Sequence, residues 1–346
     1  MNAIVSIIVP CRNERTCIRS FLEGLTRQDF TGILPEVLIA DGQSDDGTRE
    51  IVREYALSLQ WIRLVDNPRQ FVSTGLNLAL REATGDIVIR MDVHSEYATN
   101  YVRECVCALV ETGAQNVGGP ALTKSHGYIG GAIAAAYASP FSCGGPRFHN
   151  RSYEGYVDTV PYGCWYRRTL EELKGFDENL VRNQDDELNL RILRAGGKIW
   201  MTPKIKSWYR PRSNLMALAL QYFQYGYWKV AVIRKHSLPA SFRHLVPPVF
   251  VLFAILGGLA SAFSLAESWS VVIRLYLTGL SVYMVCNVVA SLRATLGRLA
   301  LFPAVLIIFP IYHLSYGAGF LTASLRSVRA CQGHHGPSSF AERLSR

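Results

Sequence analysis

The stretch DIVIRMDVHS, Asp86 to Ser95, sets two metal-competent side chains, Asp92 and His94, at the end of a β-branched run with one residue between them. A carboxylate and an imidazole so placed can share one divalent cation, with water and substrate oxygens filling the other positions. Carboxylates favour Mg²⁺ or Mn²⁺, and the imidazole moves the preference toward Mn²⁺. Such a cation acts as a Lewis acid on a diphosphate leaving group, whose release develops negative charge. A purely structural reading stands beside this one: Asp92 caps a helix starting near Ala98, and His94 is an incidental loop residue. The eight cysteines form no C-x-x-C pair, so a metal-thiolate site is not expected and a reducing compartment is.

The elements that must position these residues follow from periodicity. Ala3–Val9 reads as a buried strand ended by Pro10, and Ile18, Phe21, Leu22 and Leu25 follow at helical spacing. Strands are expected at Glu36–Asp41, Trp61–Val65 and Asp86–Asp92. Between them lie a helix capped by Thr48, with Ile51, Val52, Tyr55 and Leu59 on one face, and another from about Ser73 to Glu82. Strand–helix alternation of this kind predicts an α/β domain with a mostly parallel sheet covered on both faces. Ligands of such sheets bind at the carboxyl ends of the strands, where Arg12, Asn13, Glu14, Asp41 and Asp92 all fall. The first turn reads PCRNER, not G-x-G-x-x-G, which argues against a dinucleotide-binding Rossmann domain.

Composition divides the 346 residues. Up to about Tyr227 charged turns punctuate short apolar runs; from Leu245 the charges nearly vanish. A bilayer-spanning helix needs roughly 20 apolar residues, and Leu245–Leu265, Val271–Leu292 and Leu299–Leu325 qualify. The third carries Pro303, Pro310 and His313 and is expected to be kinked or partly re-entrant. The domains expected are 1–227 (catalytic), 228–244 (basic, juxtamembrane), 245–325 (membrane) and 326–346 (tail). The net charge of +9 does not call for nucleic acid. Lys229, Arg234, Lys235 and Arg243 precede the first membrane segment, where anionic headgroups attract them. Arg293 and Arg298 fit the same cytosolic side, whereas Arg326 and Arg329 conflict with three full crossings. MNAIVSIIVP lacks a charged n-region, so the soluble part is expected in the cytosol.

These blocks carry a resemblance. VSIIVPCRNE, VLIADGQSDDGT, ATGDIVIRMDVH and GFDENLVRNQDDELNLRI occur in the order found in family 2 glycosyltransferases, and the chain resembles that family over roughly residues 4–225. The resemblance implies the GT-A fold, a nucleotide-diphospho-sugar transferase architecture with a Rossmann-like sheet, here followed by transmembrane helices. Within the family, VDTVPYGCWYRRTLEELKGF and YRPRSNL resemble the enzymes of succinoglycan-type exopolysaccharide synthesis. By that resemblance Pro10, Arg12 and Glu14 line the nucleoside pocket and Asp41 hydrogen-bonds the base. Asp92 faces ribose and metal, and His94 stands where a second aspartate is usual, which leaves the metal's identity open. The family's E-D pair appears as Gln184-Asp185, which maps the catalytic base onto Asp185, with Asp186 the second choice. Asp185, Leu188 and Ile192 share a helix face, and Glu187–Arg191 reads as an i,i+4 pair.

What the resemblance implies is an inverting hexosyltransferase. It would move glucose from UDP-glucose onto a polyprenyl-diphosphate-linked saccharide to form a β-linkage, as a multi-pass protein of the cell inner membrane. Its partners would be the nucleotide sugar, the lipid-linked acceptor, membrane lipids and other polysaccharide-assembly proteins. Two alternatives stay open: transfer to polyprenyl monophosphate, and a non-catalytic assembly subunit. Arg210 and Arg212 could clamp a diphosphate or face headgroups. Trp165 could stack on a sugar or lie in the core, and the glycine-rich Cys143–Gly155 segment could close over substrate or be an ordinary loop. QYFQY lacks the Arg and Trp of Q-x-x-R-W, which argues for single additions rather than processive synthesis.

Overall fold

The computed structural model describes residues 3–145, 147–239, 241–263 and 270–330; the expected tail lies outside them from 331 on. Two compact units divide the chain, Met1–Lys124 with Arg147–Arg210, and Ser125–Pro146 with Pro211–Arg346. Residues 125–145 and 211–227 thus group with the apolar carboxyl-terminal helices.

The first unit opens with β1 (Ala3–Cys11), α1 (Arg15–Thr26), β2 (Ile33–Asp41), α2 (Thr48–Ser58), β3 (Ile62–Asp66), α3 (Val72–Glu82) and β4 (Ile87–Arg90). Then come β5 (Ser95–Tyr97), α4 (Tyr101–Thr112), β6 (Asn116–Gly118) and β7 (Ala121–Thr123). In the second unit follow α5 (Gly127–Tyr137) and α6 (Pro140–Cys143). The first unit resumes with β8 (Gly155–Tyr156), β9 (Cys164–Tyr166), α7 (Arg167–Glu172), α8 (Gln184–Arg194), β10 (Ile199–Met201) and β11 (Ser207–Tyr209). Its main sheet runs β3-β2-β1-β4-β9-β6-β10-β8, with a small sheet β5-β11-β7. The pairs β1–β2, β1–β4, β2–β3 and β6–β10 are parallel, and β9 is antiparallel to β4 and β6. The mixed α/β sheet is the expected one, with short antiparallel insertions that periodicity could not reveal.

Both faces of β1 are buried, which explains its uninterrupted apolar run. Val5, Ile7 and Val9 join Ile18, Leu22 and Leu25 of α1 in one core, while Ile8 joins Leu76 and Ala79 of α3 in the other. Pro10 does not end the strand; it pairs in register with Ala40, and Cys11 with Asp41. The reason lies in the ladder. Ile8 accepts from the Met91 N–H, so Pro10, two residues on, turns its missing N–H toward the same side, past the end of β4. Thr48 is likewise not a cap. Gly47, at φ 95°, stands before α2, and Thr48 is its first residue.

The second unit packs α5 and α6 with α9 (Leu215–His236), α10 (Val246–Phe263), α11 (Ser270–Ala294) and α12 (Phe302–Ala330). Ile133, Leu218, Tyr222, Val305, Phe309 and Tyr312 form its core. A Cβ on Gly226 would meet the Tyr316 carbonyl at 2.0 Å, and one on Gly319 the Phe223 carbonyl at 2.0 Å; glycine lets α9 and α12 touch along their backbones. Three spans, Phe242–Ala262, Val271–Ala294 and Leu299–Arg326, are long and apolar enough to cross a membrane. The third lies on α12, one 29-residue helix with Pro310 inside it.

Candidate active site

The loops at the carboxyl ends of the parallel strands are stitched together and strained. Asn13, Gln43 and Gln70, after β1, β2 and β3, have φ of 53°, 57° and 65°; Tyr162 before β9 and Asn183 before α8 have 60° and 62°. Left-handed backbone in such side chains costs on the order of 1–3 kcal/mol each and gathers at functional sites. Ser44 Oγ accepts from the Asn13 N–H at 2.8 Å, Asn13 Oδ1 from the Asp45 N–H at 3.1 Å, and Thr48 Oγ1 from the Glu14 N–H at 2.9 Å. Gln70 Nε2 donates to Gln43 Oε1 at 2.8 Å. A Cβ on Gly42 would lie 3.2 Å from Arg12 Cδ and 3.3 Å from Gln70 Cα, so the glycine lets the three loops converge.

Asp41 stands at the expected strand end, fully buried. Its oxygens accept from the Ser44 N–H at 3.0 Å, the Ser44 hydroxyl at 2.5 Å and Arg49 at 3.2 Å. Its visible work is to shape the turn. Arg12 is exposed, while Pro10 and Glu14 are half-buried at the same edge.

The last residue of β4 is Arg90, and past it the chain delivers Asp92 and His94. Arg90 forks onto Asp92, Nε to Oδ1 at 2.9 Å and NH2 to Oδ2 at 3.0 Å. Burial by itself would raise the Asp92 carboxyl pKa; Arg90, with a smaller contribution from His94, holds it below the ordinary range. The Asp92 N–H donates to the Tyr97 hydroxyl at 2.7 Å, so Asp92 does not cap α4, which begins later, at Tyr101. His94 Nδ1 lies 3.4 Å from Glu14 Oε1, joining the β4 loop to the β1 loop. Tyr162 and Ser95 share a hydrogen bond of 2.6 Å between hydroxyls. Burial and the charge of Asp92 push the Tyr162 phenol well up, so it is neutral near pH 7.

Asp185 lies in the first turn of α8, its Oδ1 accepting from the Asp186 N–H at 2.9 Å. Burial opposes the Arg90 cation, but the charges of Asp92 and then Asp185 raise that guanidinium above its usual value. Glu187 behind it is the structural acid expected: fully buried, it holds Arg191 at 2.8–3.0 Å, and Arg191 donates to the carbonyls of Leu173 and Gly175. Asn189 accepts from Asn116 at 2.7 Å and donates to Thr159 at 2.8 Å, pinning the helix to β6 and the segment before β9.

A divalent cation fits this donor set in part. Each Asp92 oxygen keeps one lone pair beyond its bond to Arg90, and an imidazole stands two residues away. Among the described residues no group of three or more His, Cys, Asp or Glu side chains gathers around one point. The pair could share a cation with substrate oxygens but not enclose one.

Other candidates fall elsewhere. Trp165 is 1% exposed, edge-on to Phe176, and is a core residue, not a sugar platform. Arg210 is paired with Glu96, which also takes Lys124 at 2.6 Å, and Arg212 is exposed at the start of the second unit. A cavity of ≈ 280 Å³ adjoins His94, walled by Thr16 and Ser20 of α1 and by Glu96 and Arg210; Asp92 and Asp185 do not line it. Sequence reasoning missed Arg90, Tyr97, Tyr162 and Asn189. A charged residue inside the apolar IVIRM run was the signal for the first.

A model of the family described as glycosyl transferase family 2 matches residues 6–172. The succinoglycan biosynthesis protein ExoA of Rhizobium meliloti (strain 1021) is 33% identical over 243 residues, 70% of this chain and 73% of that protein. The chain belongs to glycosyltransferase family 2. This glycosyltransferase is also 28% identical, over 67% of its length and 74% of the relative's, to a Methanococcus voltae enzyme. That relative is the dolichyl N-acetyl-α-D-glucosaminyl phosphate 3-β-D-2,3-diacetamido-2,3-dideoxy-β-D-glucuronosyltransferase. In fold, the family 2 chain matches the mannosyltransferase PcManGT from Pyrobaculum calidifontis, solved with GDP-Man and Mn²⁺. The TM-score is 0.57 at 21% identity, over 93% of this chain and 88% of that one.

Proposed function

We propose that this glycosyltransferase moves a hexose, glucose from UDP-glucose, onto a polyprenyl-diphosphate-linked saccharide in exopolysaccharide synthesis. The linkage is β, formed with inversion. The observation that best supports the mechanism is Asp92, held past the carboxyl end of β4 by two hydrogen bonds from Arg90; the likeness to ExoA supports the pathway. Asp185 accepts the proton of the acceptor hydroxyl as its oxygen bonds to the anomeric carbon. The bond from that carbon to the diphosphate breaks on the opposite side, and the nucleotide leaves with the electron pair. Asp92 and His94 would hold a divalent cation, Mn²⁺ or Mg²⁺, which when bound supplies Lewis-acid stabilisation of the leaving diphosphate. Pro10, Arg12, Glu14 and Asp41 form the nucleoside side of the cleft, and Arg212 meets the diphosphate. Three apolar helices anchor the enzyme in the cell inner membrane, beside an acceptor whose isoprenoid tail cannot leave the bilayer, with the catalytic unit in the cytoplasm.

A screen of radiolabelled nucleotide sugars on membranes containing the protein, with extraction of the lipid product, tests this. UDP-glucose should label a polyprenyl-diphosphate saccharide; no labelled lipid from any donor would overturn the proposal. The M. voltae relative's acceptor, named as a dolichyl sugar phosphate, favours a second reading in which the lipid carries a single phosphate. Supplying each lipid separately decides between them.

A further inference from the structure

At the end of β4 the Arg90 N–H donates to the carbonyl of Gly163, just before β9, at 3.1 Å. Backbone groups of an extended chain alternate between its two edges, so the N–H of Asp92 turns toward that same edge. There the ladder stops: β9 starts only at Cys164, and Tyr162 before it has left-handed backbone at φ 60°. The side chain of Tyr97 takes the place of the missing strand. Its hydroxyl accepts from the Asp92 N–H at 2.7 Å and donates to the Asp92 carbonyl at 3.3 Å. That carbonyl also accepts from the Ser95 N–H at 3.1 Å, closing a four-residue turn with Val93 and His94 at its tip. One phenol thus holds both backbone groups of the residue from which the D-x-H bend starts. The ring is itself packed edge-on by Phe21, Tyr101 and Tyr162, with centroids 6.3, 4.7 and 5.8 Å away.

We propose that Tyr97 is a positioning residue, whose hydroxyl sets Asp92 and His94 in place before the donor arrives. This deepens the reading of Asp92 and His94 as the pair that holds a divalent cation, and rests on it. Two side chains with one residue between them meet a single ion only while the turn that joins them keeps its shape. Arg90 fixes the carboxylate of Asp92, and Tyr97 fixes its backbone. Phenylalanine at 97 would keep the ring and its packing but lose both bonds, so the part played by the hydroxyl can be separated from that of the ring.

The test uses the full chain in nanodiscs. Mn²⁺ binding is measured without turnover, by electron paramagnetic resonance with UDP and again with GDP, and thermal unfolding and hydrogen exchange are followed on the same preparations. Tyr97→Phe should weaken Mn²⁺ binding about tenfold or more, while Tm falls by no more than about 4 °C. Tyr101→Phe, which takes a hydroxyl from the same ring cluster, should leave Mn²⁺ binding within about twofold. In the ligand-free wild type the peptide spanning 91–97 should exchange about tenfold or more slowly than an unstructured chain, and faster in Tyr97→Phe. The proposal is overturned if Tyr97→Phe binds Mn²⁺ as the wild type does, or if Tyr101→Phe weakens binding equally, which would credit the rings and not the hydroxyl. It is also overturned if the 91–97 peptide of the ligand-free wild type exchanges like an unstructured chain; should Tyr97→Phe fail to fold, that measurement decides. A wild type that binds no Mn²⁺ with either nucleotide defeats the reading of Asp92 and His94, and the proposal with it, whereas a wild type that binds while Tyr97→Phe matches it defeats the role of Tyr97 alone.

Discussion

His94 and Asp186 separate chemistry from scaffolding at the scale of single residues. His94 lies beside Glu14, and its imidazole is the softer donor of the pair with Asp92. In His94→Ala the Mn²⁺ concentration giving half-maximal activity should rise about tenfold or more, with saturated kcat much less affected; an unchanged metal requirement would remove His94 from the metal site. Asp186 is half-buried in the same helical turn as Asp185, and the resemblance to family 2 maps the base onto Asp185. Asp186→Asn should therefore retain activity within about threefold, and a loss matching that of a base would exchange the two assignments. The places of the acids, past β4 and at the start of α8, were legible in the sequence because the family blocks fix them. Their environment was not: that Asp92 is forked by its own strand neighbour, or that Tyr162 bonds Ser95, depends on β5 and the loop before β9, elements too short to leave a period.

Scale up to elements, and the long apolar runs account for what could be read. β1, β2 and the α1 face Ile18, Phe21, Leu22 and Leu25 are where spacing put them, because each buries a continuous surface. Runs of two or three residues such as β6 and β10 form from tertiary pairing alone. Ladder geometry also overrode a local rule at Pro10, where the strand continues because β4 has already ended. Between elements, Glu36 on β2 accepts from Ser6 of β1 at 2.6 Å, the Thr84 N–H at 2.9 Å and Arg63 at 2.8 Å. Burial would raise its carboxyl, but the Ser6 bond, the Thr84 N–H and Arg63 hold it below the ordinary value of 4.5. The folded state then binds fewer protons than the unfolded one, so this stabilisation is present above 4.5 and lost as pH falls through the lower folded value. Wild type should exceed Glu36→Gln in Tm at pH 7, and the gap should close as the pH falls below 4.5. A gap independent of pH would mean that the carboxylate's charge is irrelevant there.

In the whole molecule, residues 125–145 and 211–227 group with the apolar carboxyl-terminal helices although they precede the boundary expected at 227. The α5 helix, GYIGGAIAAAY, contributes to the same core as Phe309 and Tyr312 of α12 although it lies 172 residues or more before them in the chain. Lys229, expected to face headgroups, is 5% exposed, because it falls on the packed side of α9. The charges at that helix end that stay exposed are Arg234 and Lys235, with Arg243 half-buried before α10. Replacing these three with glutamine should lower transfer to a lipid-linked acceptor in anionic vesicles about tenfold while leaving donor hydrolysis within about twofold. Equal loss of both would show that the basic segment does not meet the membrane.

The most direct measurement is sugar transfer by wild type and by Asp185→Asn, both in nanodiscs with lipid-linked acceptor, Mn²⁺ and the donor found by the screen, together with nucleotide affinity of the two proteins. The predicted result is a fall in kcat of about 10²–10⁴-fold, with nucleotide affinity changed by no more than about threefold and a β-linked product from the wild type. Asparagine at 185 with near-wild-type kcat, or an α-linked product, would contradict an inverting displacement with Asp185 as its base.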